Sequence, residues 1–295
     1  MRRLASLLAA LVLLAPAIAW AKPPLWVAHG RGATITLFGS VHVLPRDIDW
    51  EPDALKTALT EADELWFETP IDPAALLGAT QLALRKGMLP EGRSLFDLLS
   101  DDGKARLRRE EEALHLPGPE LEHLRPWLAE LTLADAAYAR DGATPDQGVE
   151  RQLSDSAPQA ERHAFETPAQ QIDMFSGGPE ALQVKSLEDT LRDIEDDPGQ
   201  ARRLIDAWLR GDIKAIDKEG VQALRDESAE MFAVVLTNRN AAWVRTLMKR
   251  LQAPPPPGGR PARIVVVVGV GHLAGQDGVP ELLRRKGIRV DGPRY

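Results

Sequence analysis

The sequence contains no cysteine. That excludes disulfides, thiolate metal sites, a cysteine nucleophile and a lipid anchor on cysteine, so any metal would have to rest on histidine and carboxylate. Basic residues are outnumbered, with 36 Lys and Arg against 44 Asp and Glu and a formal charge of −8. An acidic body argues against nucleic acid as a partner. Several site signatures are also missing. There is no P-loop, no H-E-x-x-H and no G-x-S-x-G elbow, and the glycines at 269, 271 and 275 do not spell the dinucleotide fingerprint. After residue 21 no apolar segment can cross a bilayer, which takes ~20 residues.

What is present begins with a leader. Residues 1–21, MRRLASLLAALVLLAPAIAWA, place Arg2 and Arg3 ahead of an apolar stretch that ends in the small-x-small pattern Ala19-Trp20-Ala21. This predicts a signal peptide cut after Ala21, a periplasmic or secreted product, and no stable membrane insertion after cleavage. Loss of the two arginines would make the body more acidic still. A chain of 295 residues with 44% hydrophobic content can bury a sizeable core, and residues 22–295 read as a single domain.

The pattern of elements predicts an α/β fold. LWVAHGRGATITLFGSVHVLP reads as a hairpin turning at Gly30-Arg31-Gly32, whose second arm delivers His42. A helix over about 52–62 leads into the strand Leu65-Trp66-Phe67, closing at Glu68. A helix between strands makes a βαβ unit and a parallel sheet, and ligands gather beyond the carboxyl ends of such strands. Residues 71–158 look helical almost throughout, a large insertion over the sheet, with turns at 90–92, 117–119 and 141–142. ERHAFETP then repeats the FETP of LWFETP, a brief strand ending in Glu166 with Pro168 opening a helix. Helical pattern fills 169–252 and places Arg239 and Asn240 on an apolar face. A Pro-Gly spacer over 254–259 precedes a strand at 263–268, a helix over about 277–286 and a last short strand in GIRVDG. The sheet is thus expected to be mixed and built from both ends of the chain.

Two strand ends spell Gly-x-x-His, at Gly39 to His42 and Gly269 to His272. Glycine there lets the chain turn sharply and lets a ligand approach. Two imidazoles and the carboxylate of Glu68 form a ligand set used by catalytic zinc and by open iron or manganese sites. Capping of each strand end by its own histidine is the alternative. Glu166 and Arg239 stand as a second strand-end carboxylate and a cation suited to a carboxylate or an oxyanion. His29, His115, His123 and His163 have no comparable setting.

These features resemble the TraB/GumN family, which includes the Tiki proteases. The likeness runs over nearly the whole mature chain, in LFGSVHVLP, ADELWFETP, FETPAQQIDMF, WLRGDIKAID, LTNRNAAWV and VVVVGVGHLAGQDGVPELLRRKGIRV, in that order. The resemblance implies a fold related to the erythromycin-esterase and haem-uptake ChaN groups and a metal-dependent peptidase activity. Carried over by position, the resemblance implies His42 and His272 as the motif histidines, Glu68 as the glutamate and Arg239 as the arginine; in a hydrolase of this kind His42, Glu68 and His272 would hold a divalent Mn, Co or Zn ion, Glu166 or another carboxylate would act as base, and Arg239 would stabilise the oxyanion. One block departs: Gly148-Val149-Glu150 stands where the family usually has aspartate after the hydrophobic residue. Two functions remain open, an exported metal-dependent hydrolase acting on a peptide or protein, and a non-catalytic periplasmic binding protein for haem, metal or peptide. Sequencing the amino terminus of protein recovered from the periplasm is expected to return Lys22 first; a product still starting at Met1 would remove the leader from the account.

Overall fold

A computed structural model describes residues 22–116, 121–255 and 259–294. The leader, the turn at 117–119 and residues 256–258 of the Pro-Gly spacer lie outside the described residues.

The chain opens with the hairpin β1 (Leu25–His29) and β2 (Ala33–Ser40). A two-residue strand β3 (Leu44–Pro45) and helix α1 (Asp53–Thr60) lead to β4 (Glu64–Phe67). Two further strands, β5 (Ala143–Thr144) and β6 (Glu161–Ala164), follow the helical insertion, and β7 (Ala262–Gly269) and β8 (Arg289–Asp291) end the chain. Six of these form one sheet in the order β6-β4-β7-β2-β1-β8. β6, β4, β7 and β2 are mutually parallel, whereas β1 is antiparallel to both β2 and β8. This is the expected mixed sheet drawn from both chain ends.

Its central strands explain themselves. Ile264 to Val268 are all buried, as a parallel strand covered on both faces requires, and β-branched side chains suit that pleated surface. In β2 the inward residues Ile35, Leu37 and Phe38 have no exposed surface. Phe38, Trp50 and Trp208 pack with ring centroids 5.7 to 6.3 Å apart, and the Trp208 indole N–H donates to Gly39 O at 2.7 Å. That bond fixes the backbone where β2 turns away from the sheet. Burying each such aromatic contributes on the order of 1.5–3 kcal/mol.

The insertion carries α2 (Pro73–Gly87), α3 (Asp101–Ala113) and α4 (Pro126–Arg140), and beyond β6 come α5 (Pro168–Ser176), α6 (Glu180–Asp196) and α7 (Gln200–Leu209). Leu95, Leu107, Leu133, Leu187 and Leu191 from this layer form an apolar cluster separate from that of the sheet. Starts are set locally: Asp72 caps α2 by accepting from Ala75 N, and Thr167 with Gln170 makes a reciprocal box at α5. The long helix α8 (Asn238–Gln252) packs under the sheet, and α9 (Val279–Arg285) covers its last strands. Among the described residues no helix is long and apolar enough to cross a membrane.

Two details depart from the periodicity. The expected helical stretch 71–158 is interrupted by β5, which pairs antiparallel with β3. The stretch 169–252 contains two π-helical turns, Asp217–Gln222 and Ala233–Thr237, and the second runs directly into α8, which carries Arg239. Such turns add a residue to the helical ring and shift the face that follows, which apolar spacing does not report.

The β3–β5 pair matters because it holds the loop after β2 against the helical turn Val149–Gln152. Val149 N donates to Val41 O at 3.0 Å, and Trp50 Nε1 donates to Gln152 Oε1 at 3.1 Å. A Cβ on Gly148 would lie inside contact distance of the His42 carbonyl. Gly148→Ala is therefore expected to cost about 1–3 kcal/mol through overpacking, read as a lower urea midpoint at unchanged slope.

Candidate active site

The register decides where the strand-end residues meet. Ser40 of β2 pairs with Gly269 of β7, Trp66 of β4 with Val266, and Phe67 of β4 with Ala164 of β6. All four parallel strands consequently finish at one edge. His42, Glu68, Glu166 and His272 follow those ends, and α8 brings Arg239 and Asn240 up against them.

The inner part of the site is a sealed ionic knot centred on Arg239, which is 8% exposed. Its Nε donates to Glu166 Oε1 at 2.8 Å, and Nη2 donates to Glu166 Oε2 at 2.9 Å and Glu68 Oε2 at 2.5 Å. Nη1 donates to Val235 O at 3.1 Å, within the second π turn, and to His272 Nε2 at 2.9 Å. Those five bonds use every N–H a guanidinium has. Burial opposes the charge of Arg239, but the hydrogen bonds and charges of Glu166 and Glu68 raise its pKa on balance. Trp243, one turn along α8, lies under the guanidinium at 4.7 Å and donates its indole N–H to Glu166 Oε1 at 2.9 Å.

The hydrogen-bond network fixes the tautomer of His272. Asn240 Nδ2 donates to Asp277 O at 2.8 Å, so Asn240 Oδ1 is the atom 2.6 Å from His272 Nδ1 and accepts its proton. Nε2 is then bare and accepts from Arg239. The ring is neutral: burial is the largest cause and pushes its pKa down to about 3, with Arg239 and His42 adding to the shift and Glu68 opposing it. Burial works to raise the pKa of Glu68, but the neighbouring His272, the Arg239 charge, His42 and the Gly269 N–H, 2.7 Å from Oε1, together outweigh it and hold the carboxyl below its usual range. Phe165, Trp243 and His272 stack in sequence, with centroids 4.9 and 4.3 Å apart, and close the knot from one side.

The outer part is open. His42 Nδ1 donates to Glu150 Oε1 at 2.9 Å, and Ser40 Oγ donates to the same oxygen at 2.5 Å. Glu150 is the largest cause raising the His42 pKa, against the effect of burial, while 70% of the side chain stays exposed and water screens part of that attraction. His42 Nε2 faces a cavity of about 740 Å³ whose lining includes Glu68, Phe67, Ile71, Arg151 and Gln171.

The expected residues are thus brought to one edge. His42 Nε2, Glu68 Oε1 and His272 Cδ2 each lie within 4 Å of the point where a Cβ on Gly269 would sit. Yet His272 presents no free lone pair, since Nδ1 bears the proton and Nε2 is held by Arg239. The three groups therefore do not fit a metal ion as arranged, and among the described residues no group of three or more His, Asp or Glu is disposed to hold one. Glu166 is tied at both oxygens and cannot serve as a base while the knot holds. Arg239 has no N–H left for an oxyanion. Sequence reasoning missed Ser40, Trp243 and the partner of Glu150; spacing on α8, where Arg239 and Trp243 are four apart, was the available signal for one of them.

A model of the TraB/PrgY/gumN family matches residues 24–292. The Escherichia coli (strain K12) protein called uncharacterized protein YbaP is 25% identical over 251 residues, 84% of this chain and 87% of the relative. The Shigella flexneri protein of the same name matches to the same extent. Neither name carries an activity. No solved structure matches.

The neutrality of His272 has a sign that can be checked. An imidazole titrates near 6.5 in an unfolded chain, so between that value and about 3 the unfolded state binds a proton that the fold refuses. This contribution to stability is complete above 6.5 and is lost as pH falls through that window. Urea midpoints measured for wild type and His272→Gln from pH about 7 to 4.5 are expected to converge on acidification. Parallel curves would mean that His272 is charged in the fold.

Proposed function

Since the chain belongs to the TraB/PrgY/gumN family, we propose that it is an exported hydrolase of peptide bonds working at the strand-end cavity. The observation that supports this reading is the His42 imidazole. Its Nδ1–H is held by a carboxylate, its Nε2 faces the cavity, and its backbone is clamped by the Val149–Gln152 turn. An imidazole oriented by a carboxylate is the usual general base for activating water.

In this mechanism a carbonyl-containing chain lies in the cavity against Phe67, Ile71 and Phe175, and His42 Nε2 takes the proton of the attacking water. Glu150 holds the ring in that tautomer and stabilises the imidazolium that forms. Ser40, itself buried, keeps Glu150 in place. Gln171 and Arg151 line the same cavity and are the donors for charge developing on the carbonyl oxygen. The proton on His42 then passes to the leaving amine. The ionic knot behind this site takes no part in proton transfer; with the Gly269 N–H it fixes Glu68, which lines the cavity.

A raised pKa makes His42 a stronger base that must first lose its own proton, so cleavage is expected to climb with pH on the alkaline side of 6.5. Assay of an unstructured peptide library is expected to show His42→Gln slower by a factor of roughly 100 or more, with folding retained. Glu150→Gln is expected to move the base limb of the profile back toward lower pH. Equal cleavage by wild type and His42→Gln would place the chemistry elsewhere. A wild type that cleaves nothing while holding haem or a peptide would make the protein a binding module.

A further inference from the structure

We propose that the Arg239 guanidinium takes the place of a metal ion between Glu68 and His272, so that these two groups are held together by a protein cation and the site beside His42 works without a bound metal. The claim concerns the same site as the proposed hydrolysis but does not depend on turnover.

Three observations converge on it. The His272 nitrogen turned toward Glu68, 3.8 Å from Oε1, is the one that accepts from Arg239 Nη1. The ring cannot turn over to offer its other nitrogen without breaking the Asn240 bond, and Asn240 is itself fixed by Asp277 O. The guanidinium is also not a side chain that can swing aside. It is buried, engages Glu68 and Glu166 at once, and is backed by Trp243. An ion placed between His272 and Glu68 would sit against that cation and would have to displace it, leaving the part-buried Glu166 without its cation.

The arrangement accounts for the FETP repeat as well. The first copy ends β4 with Glu68 and the second follows β6 with Glu166, and the two carboxylates flank one guanidinium. A metal site built from Glu68 alone gives no use to the second copy; a guanidinium, with two edges of paired N–H groups, uses both.

The structure also says what would convert the site. Removing Arg239 frees His272 Nε2 and Glu68 Oε2 together, and His42 Nε2 already faces the cavity that Glu68 lines. Replacing Arg239 with alanine and Glu166 with glutamine at once removes the cation with one of its carboxylates, which leaves net charge unchanged.

The experiment is metal binding measured without turnover. Chelator-treated wild type, Arg239→Ala/Glu166→Gln and His272→Ala are titrated calorimetrically with Zn(II), Mn(II) and Co(II), and metal content is read on each as purified. Wild type is expected to bind none of the three with one ion per chain, and to keep its peptide cleavage after chelation. The double variant is expected to bind Zn(II) at least roughly tenfold more tightly than wild type, and to lose that gain when His272→Ala is added. One ion per chain in wild type, abolished by His272→Ala, would overturn the proposal. That wild-type arm decides the matter even if the double variant does not fold, and absence of cleavage with absence of metal would count against the hydrolase alone.

Discussion

The guanidinium of Arg239 joins the ends of three strands. Glu68 follows β4, Glu166 follows β6 and His272 follows β7, and each contributes an acceptor to one planar cation carried by α8. The buried carboxylate of Glu68 would cost several kcal/mol of desolvation without a partner and the part-buried Glu166 less, and one cation bonded to both offsets that penalty while fixing their directions. Trp243 and Phe165 keep water from the knot, which strengthens each bond inside it. The position of α8 under the sheet, the π turn before it and the Gly269 turn are all constrained by this contact.

The knot divides the edge into a sealed half and an open one. Behind the sheet end, charges are paired and an imidazole is kept neutral. At the mouth, His42 keeps most of its surface and a free nitrogen, with its other nitrogen given to Glu150. The same residue type thus serves two purposes set by surroundings: His272 accepts a hydrogen bond and organises, whereas His42 is placed to move a proton. Glu150 illustrates the difference between charge and reach. The turn that carries it is pinned to Val41 by backbone, so a glutamate arm is what spans from that turn to the ring, with Ser40 steadying the same oxygen.

Much of the fold was legible. Alternating and continuous apolar runs gave β2, β4 and β7 within a residue or two, Pro168 marked the start of α5, and helices between strands predicted the parallel pairing. The β3–β5 pair and the π turns were not legible. A two-residue strand has no periodicity of its own, and a π turn keeps the composition of a helix while changing its phase.

The amino-acid sequence by itself determined which groups would gather at one edge, because parallel strands must all end on the same side and Gly-x-x-His and FETP each sit at a strand end. It also determined the chemical kinds available, with no thiol anywhere and two imidazoles and two carboxylates at those ends, Glu150 and Arg239 coming from other parts of the chain. Which of these bond to one another was decided only by the tertiary structure. His42 and His272 share a spelling, yet one points to solvent beside a carboxylate and the other is buried against a cation, and that difference comes from α8 and the Val149–Gln152 turn, which lie far from either histidine along the chain. Hydrogen-bond partners are a property of distances across the fold, and spacing along the chain carries no record of them.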